Sequence, residues 1–283
     1  MTATPARAPE TVTWTGLEPE HASTVLEVRR LKKNYGSGDA IARILADVTF
    51  DVQAGEFVCV VGPSGSGKTT LLRSIAGLQA PTDGAVIFEG DTVTEPPRKM
   101  AVIFQDYSRS LLPWMTVAAN VELPMRNKFD KAERYRRVEE VLVSVGLAGK
   151  GDLYPWQMSG GMQQRAAIAR GIAYQPDVLL MDEPFAAVDA QTRIELEDLV
   201  LRVRQDYKTT VLFVTHDIDE AVYLADRVIV LSGAPTSVTE NIGVDLPRPR
   251  NQFETKALPR YAEIRNHVFG LIQRAKSHAS VGR

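Results

Sequence analysis

The run Gly62-Pro63-Ser64-Gly65-Ser66-Gly67-Lys68-Thr69 carries the most explicit chemistry in the chain. It fits the pattern G-x-x-x-x-G-K-[ST] at every fixed position. Its glycines let backbone N–H groups turn inward around phosphate oxygens. Lys68 would reach the β- and γ-phosphates of a nucleotide, and the Thr69 hydroxyl would join Mg²⁺. Thr70 offers a second hydroxyl toward the α-phosphate. Further along, Val178-Leu179-Leu180-Met181-Asp182-Glu183-Pro184 reads as a buried strand with acid at its tip. Asp182 would hold Mg²⁺ through water. Glu183 would face the γ-phosphate and polarise the attacking water. Between these lies Met158-Ser159-Gly160-Gly161-Met162-Gln163-Gln164-Arg165. A Ser-Gly-Gly turn opening a helix is a second anion site, because free N–H groups and the helix dipole converge there. Two phosphate sites far apart in one chain could serve one nucleotide, or two chains could share two nucleotides.

Other residues are weaker alone. Gln105 ends a strand-like run over 100–104, and a neutral amide there could bind Mg²⁺ and orient water without adding charge. His216 follows the run 210–214, where an imidazole could contact a γ-phosphate and hold the water of Glu183. Tyr35, in Asn34-Tyr35-Gly36, could stack on adenine. His21, His267 and His278 have no such setting and read as surface residues.

The elements that position these residues alternate. Strand-like runs at 25–31, 48–52 and 57–61 precede the glycine loop, and a helix is expected over 68–76. Pro81-Thr82-Asp83-Gly84 reads as a turn. Two more strands follow at 85–88 and 100–104. Apolar spacing at Tyr135, Val138, Val141, Leu142 and Val145 predicts an amphipathic helix over 130–145. A helix over 160–173, a buried strand over 177–181, a helix over 191–205 and a strand over 210–214 come next. A helix over 218–224, a strand over 227–231 and a weakly amphipathic helix around 261–272 complete the reading. Strand–helix alternation around a glycine loop predicts an α/β fold with a mostly parallel sheet and ligands at the strand C-termini. The segment 105–175 interrupts the alternation and reads as a helical subdomain.

The 283 residues, 44% of them hydrophobic and 24% charged, have ordinary globular composition. A formal net charge of −2 gives no sign of a nucleic-acid or anionic-membrane binder. The single cysteine, Cys59, lies in an apolar run and reads as a small core residue in a reducing compartment. No window approaches the ~20 apolar residues of a membrane span. Residues 1–23 read as a disordered tail rather than a signal peptide.

Together these elements resemble the nucleotide-binding ATPase of an ABC transporter, a P-loop NTPase. The resemblance covers about residues 25–240, with the motifs in the family's order. It implies a core over 24–104 and 176–240 with an N-terminal antiparallel β subdomain. It also implies an inserted α-helical signature subdomain over 105–175 and a C-terminal extension over 241–283. Tyr35 matches the A-loop, Gly62 to Thr69 the Walker A loop, and Gln105 the Q-loop. Ser159-Gly160-Gly161 matches the signature, Asp182 ends Walker B, and Glu183 is the catalytic carboxylate. Asp189 closes the D-loop Phe185-Ala186-Ala187-Val188-Asp189, and His216 is the switch histidine. Met158 and Met162 replace the usual Leu and Gln of the signature, and Ala187-Val188 replaces Ala-Leu in the D-loop. Ser159 and both glycines remain.

The resemblance implies ATP and Mg²⁺ as ligands and a head-to-tail dimer of two copies. Each ATP would lie between the Walker A loop of one copy and the signature of the other. Gln105, Glu183 and His216 would serve hydrolysis. Leu111-Leu112-Pro113-Trp114, the Met162-Gln163-Gln164-Arg165 continuation and Leu246-Pro247-Arg248-Pro249-Arg250 resemble the nitrate/sulfonate/taurine importer branch. That implies separate permease subunits, an external solute-binding protein and a peripheral position at the cytoplasmic face of the membrane. Trp114 either forms an exposed seat for the permease or packs inside the helical subdomain. The alternatives are a soluble ABC ATPase acting on DNA or ribosomes and a non-hydrolysing nucleotide sensor. The first usually carries a long coiled-coil insert or tandem cassettes. The second tends to lose the carboxylate or histidine found here at Glu183 and His216.

Overall fold

The computed structural model describes residues 23–36, 40–105 and 110–281, with side chains through 277. The tail expected over 1–23 falls outside these residues except for Ser23, as does His21, and the side chain of His278 is also undescribed. The strands are β1 (Thr24–Tyr35), β2 (Ala42–Gln53), β3 (Phe57–Val61), β4 (Asp83–Phe88), β5 (Asp91–Thr92), β6 (Met100–Ile103), β7 (Val178–Asp182), β8 (Thr210–Val214), β9 (Arg227–Leu231) and β10 (Thr236–Gly243). The helices are α1 (Lys68–Ile75), α2 (Val117–Glu122), α3 (Lys131–Ser144), α4 (Gly160–Ala173), α5 (Ala190–Tyr207), α6 (Ile218–Leu224) and α7 (Pro259–Val281).

All ten strands join one sheet in the order β5-β4-β1-β2-β10-β9-β3-β8-β7-β6. The half from β9 to β6 is parallel throughout. The half from β5 to β2 is antiparallel. β10 joins them, antiparallel to β9 and parallel to β2. This is the expected α/β architecture, with α2, α3 and α4 in the segment between β6 and β7.

β3, β7 and β8 are buried at every residue, the mark of parallel strands covered on both faces. Phe57, Cys59 and Val61 enter one core, and Val58 and Val60 the other, as the twofold strand period requires. Cys59 is fully buried. Helix starts follow local polar signals. Asp130 caps α3 through the Glu133 N–H, Ser159 caps α4 through the Met162 N–H, and Asp189 caps α5 through the Thr192 N–H.

Several expectations change. β4 begins at Asp83, so the expected turn ends inside a strand. Gly84 takes φ +78°, and a Cβ there would lie 2.2 Å from the Arg30 carbonyl oxygen. Tyr135 is 72% exposed rather than on the apolar face of α3, which consists of Val138, Val141 and Leu142. β10 has no counterpart among the expected strands, and it spans the boundary between 240 and 241 at which the extension was expected to begin. α7 is longer than expected, and Tyr261, Ile264 and Val268 join Val244 and Leu246 in the main core. His267 is surface-placed as expected, with Nε2 2.7 Å from Glu240 Oε1. No helix among the described residues is long and apolar enough to cross a membrane.

Two buried polar side chains brace the chain near the sites. Asn120, fully buried in α2, accepts the Leu112 N–H at 2.8 Å and donates to the carbonyls of Leu112, Met115 and Thr116. This bracing presents Trp114, which is 73% exposed rather than packed inside the helical subdomain. Glu220, buried in α6, accepts the Thr215 hydroxyl at 2.6 Å, and Arg193 Nε lies 3.5 Å from its other oxygen. Burial pushes its carboxyl from 4.5 up to about 7.

Both generate stability predictions. Asn120→Ala leaves buried loop groups unsatisfied and should cost about 2 kcal/mol, read as a lower urea midpoint. An unchanged midpoint would mean that water replaces the amide. For Glu220, the folded chain keeps a proton that the unfolded chain loses above the ordinary carboxylate range. Its contribution is full below about pH 4.5 and is lost as pH rises to about 7, a span of up to about 3 kcal/mol. Subtracting the stability–pH curve of Glu220→Gln from that of the parent should isolate this slope. Two superimposable curves would refute it.

Candidate active site

The parallel register brings three chain crossings to one edge of the sheet. Val60 and Asp182 both stand opposite Val214 in the β3–β8–β7 ladder. Just beyond the strands, the Glu183 N–H donates to the Val214 carbonyl at 2.8 Å, and the Thr215 N–H donates to the Val60 carbonyl at 3.2 Å. The glycine loop, Glu183 and His216 therefore emerge side by side at the strand C-termini, where open α/β sheets bind ligands.

They line a cavity of about 600 Å³. Gly65 and Gly67 both take φ +78°, which turns the loop back over the start of α1. A Cβ on Gly67 would lie 2.6 Å from Ile44 Cγ2, so close approach to β2 also requires glycine. Ser64, Thr69 and Thr70 face the same space. Gly62 packs against β9, where an added Cβ would meet Leu231 Cβ at 3.0 Å. Ser66 is buried, and its carbonyl accepts the Thr236 hydroxyl at 2.6 Å.

Lys68 is only 7% exposed. Its Nζ donates to the carbonyls of Gly62 at 3.1 Å and Pro63 at 3.2 Å and lies 3.9 Å from Glu183 Oε1. Burial draws its pKa down, against the opposing pull of Glu183 and Asp182. The Thr69 hydroxyl donates to Asp182 Oδ1 at 3.3 Å. Burial pushes the Asp182 carboxyl up, opposed by that hydrogen bond. A glycine cradle, a helix start, a buried ammonium and a hydroxyl–carboxylate pair fit a nucleotide polyphosphate with its cation. Among the described residues no group of three or more His, Cys, Asp or Glu could hold a metal unaided.

Glu183 takes φ +44°, a left-handed conformation uncommon outside glycine. Glu183 Oε2 lies 2.9 Å from His216 Nδ1. Glu183 is 18% exposed and His216 58%, so the ring reaches outward while the carboxylate stays sheltered. Tyr35 stands at the rim, its hydroxyl against the Gln79 amide and its ring 5.4 Å from Lys33 Nζ.

The remaining expected residues lie apart. Gln105 is exposed two residues beyond Ile103, which pairs with Met181 of β7, and it does not line the cavity. Neither do Ser159, Gly160, Gly161 and Asp189. They form a separate packed unit. A Cβ on Gly161 would lie 2.5 Å from Thr192 Cγ2. Thr192 in turn gives its N–H and its hydroxyl to the Asp189 carboxylate at 3.0 and 2.7 Å. Those bonds hold the Asp189 pKa down. Within one chain the two expected anion sites do not line one cavity. The sequence reading missed Ile44 and Thr236, single contacts from neighbouring strands that carry no local motif.

Residues 45–186 match the model of the ABC transporter family. The chain is 44% identical over 245 residues to the nitrate import ATP-binding protein NrtC of Synechococcus elongatus, covering 85% of this chain and 37% of NrtC. It is 37% identical over 266 residues to the bicarbonate transport ATP-binding protein CmpD of Synechocystis sp., covering 93% and 94%. It is 40% identical over 246 residues to the aliphatic sulfonates import ATP-binding protein SsuB of Bacillus cereus, covering 86% and 94%. Bicarbonate stands outside the nitrate, sulfonate and taurine set that the local strings suggest. In three dimensions the chain resembles a dimeric ATP-binding cassette bound to ADP and Pi. That likeness has a TM-score of 0.68 at 33% identity and covers 77% of this chain and 98% of the other. With the family matched across the strands and loop that build the cavity, and CmpD and SsuB matched over nearly their whole lengths, the chain belongs to the ABC transporter family as an ATP-binding protein.

Proposed function

We propose that this chain is the ATP-hydrolysing subunit of an importer for a small anionic solute. The observation that carries the reading is the Glu183–His216 pair, 2.9 Å apart beside a buried Lys68 in the cavity lined by the glycine loop. The nitrate, bicarbonate and sulfonate relatives support the solute class. Gly62 to Thr70 would cradle the phosphates and Tyr35 would stack on the adenine. Thr69 and Asp182, with Gln105, would hold Mg²⁺, whose charge would offset that of the phosphates. Glu183 would take a proton from the attacking water, and His216 would hold that water and the carboxylate in line.

The separation of Ser159–Gly161 from the cavity favours two copies, head to tail, each turn with its neighbour Asp189 facing the partner's nucleotide. The dimeric cassette among the solved structures supports this. Trp114, held out by the Asn120-braced loop, would seat a separate permease at the cytoplasmic face of the membrane. A solute-binding protein would act only through that permease. The segment 105–175 would move as the helical unit of a cassette that begins near residue 24. Both Glu183 and His216 are in place, so nothing favours a non-hydrolysing sensor, and nothing on the chain favours a nucleic-acid partner.

Glu183→Gln should cut hydrolysis by ~10²–10⁴-fold while ATP still binds, and an ATP-dependent dimer should accumulate on gel filtration. A variant that stays monomeric in saturating ATP and Mg²⁺ would remove the shared-site reading. Lys68→Ala should instead weaken ATP binding roughly ten- to a hundredfold by calorimetry. Unchanged affinity would remove Lys68 from the phosphate site.

A further inference from the structure

α6 is a seven-residue helix that starts directly after His216 and its neighbour Asp217. A helix so short is marginal alone and depends on tertiary contacts. Its N-terminus is fixed locally. Asp217 accepts the N–H groups of Asp219 and Glu220, and Thr215 bonds both the Asp217 N–H and the Glu220 carboxylate. α5 adds Arg193, which pairs with Asp217 and Glu220, and Asp198, which accepts the Tyr223 hydroxyl; further support comes from beyond β10. At its C-terminal end, the Arg250 guanidinium donates to the carbonyls of Tyr223 at 2.5 Å and Ala225 at 2.6 Å, groups that a helix end leaves unpaired. At its first turn, Arg265 of α7 grips Asp219 through both carboxylate oxygens, at 2.7 and 3.2 Å. The Tyr261 hydroxyl donates to the same residue, 3.1 Å from its carboxylate and 3.2 Å from its carbonyl. Behind these contacts Ala221, Val222 and Leu224 share a core with Tyr261, Ile264 and Val268. None of the gripping residues lines the nucleotide cavity.

We infer that the C-terminal segment positions His216, with Tyr261, Arg265 and Arg250 clamping α6 at both ends so that the imidazole meets Glu183. This rests on the proposed role of His216 in hydrolysis. The ring itself is mostly exposed and touches Glu183. Its aim is therefore set by the backbone of 215–217, and that backbone continues into the clamped helix. Asp219 is the contact through which the clamp reaches the site. The rigid pairing suits the task, because a bidentate Arg–carboxylate pair constrains direction as well as distance.

The test is Arg265→Ala combined with Tyr261→Phe in the full chain. Arg265 is 42% exposed and phenylalanine keeps the ring buried, so the variant folds. Its kcat for ATP hydrolysis should fall on the order of tenfold, with the KM for ATP held within about twofold. The chain has four histidines. The ring resonance of His216, assigned by its loss in His216→Ala, should shift or broaden in the variant. Arg265→Lys with Tyr261→Phe retained, which keeps the charge but not the two-oxygen grip, should recover only part of the rate. An unchanged kcat, or a kcat loss with the His216 resonance unmoved, overturns the inference. If His216→Ala itself hydrolyses ATP at the parent rate, the reading of His216 fails, and the clamp then has no catalytic group to position.

Discussion

The 2.8 Å hydrogen bond from the Glu183 N–H to the Val214 carbonyl is the constraint on which the site depends. It continues the β7–β8 ladder one residue past the strand, while Thr215 extends the β8–β3 ladder to Val60 in the same way. Three strands are thereby locked in one register at the edge where the chain leaves the sheet. A slip of one residue would turn alternate side chains to the opposite face. Asp182 would lose Thr69, and Glu183 would lose His216. Full burial of β3, β7 and β8 on both faces makes such a slip costly, so the core that holds the fold also sets the distances within the candidate site.

How much of this is legible in the sequence depends on whether the cause is local. β3, β8 and β9 match the runs expected at 57–61, 210–214 and 227–231, because continuous apolar runs between turns mark covered parallel strands. α4 begins at Gly160 as expected, since Ser159 is a cap beside the residues it caps. The phosphate loop is legible for the same reason. β10 is not, because Thr236–Gly243 is polar and half exposed and becomes a strand by pairing with β9. Tyr135 shows the limit of periodicity, which gives the face of a helix but not how far the neighbouring segment covers it. The grips of Tyr261 and Arg265 on Asp219 cross more than forty residues and leave no spacing to read.

The Ser159-Gly160-Gly161 turn illustrates a constraint between elements. Gly161 resembles a residue kept small for a phosphate, yet a Cβ there would strike Thr192 within its own chain. Thr192 also holds Asp189 by two hydrogen bonds. The Ser-Gly-Gly turn and the start of α5 are therefore one packed unit, and whatever contacts the turn also reaches Asp189. A partner's nucleotide placed against Ser159 would bear on the segment that leads back to Glu183, through Phe185 and Val188.

The buried charges at and beside the cavity would suit a cation and a polyphosphate bound together. Lys68 is sheltered and bonded to neutral carbonyls, and Asp182 is sheltered and bonded to a neutral hydroxyl. Burial biases both toward their neutral forms, the amine downward and the acid upward. Moving them together would relieve both, but Lys68 is anchored to Gly62 and Pro63, and Asp182 is anchored by β7. A phosphate chain beside Lys68 would favour its charged form, and a divalent cation beside Asp182 would do the same there. Each ligand also offsets the charge of the other. The two desolvation costs, carried by a fixed backbone, would thus favour a metal–nucleotide pair over either component alone.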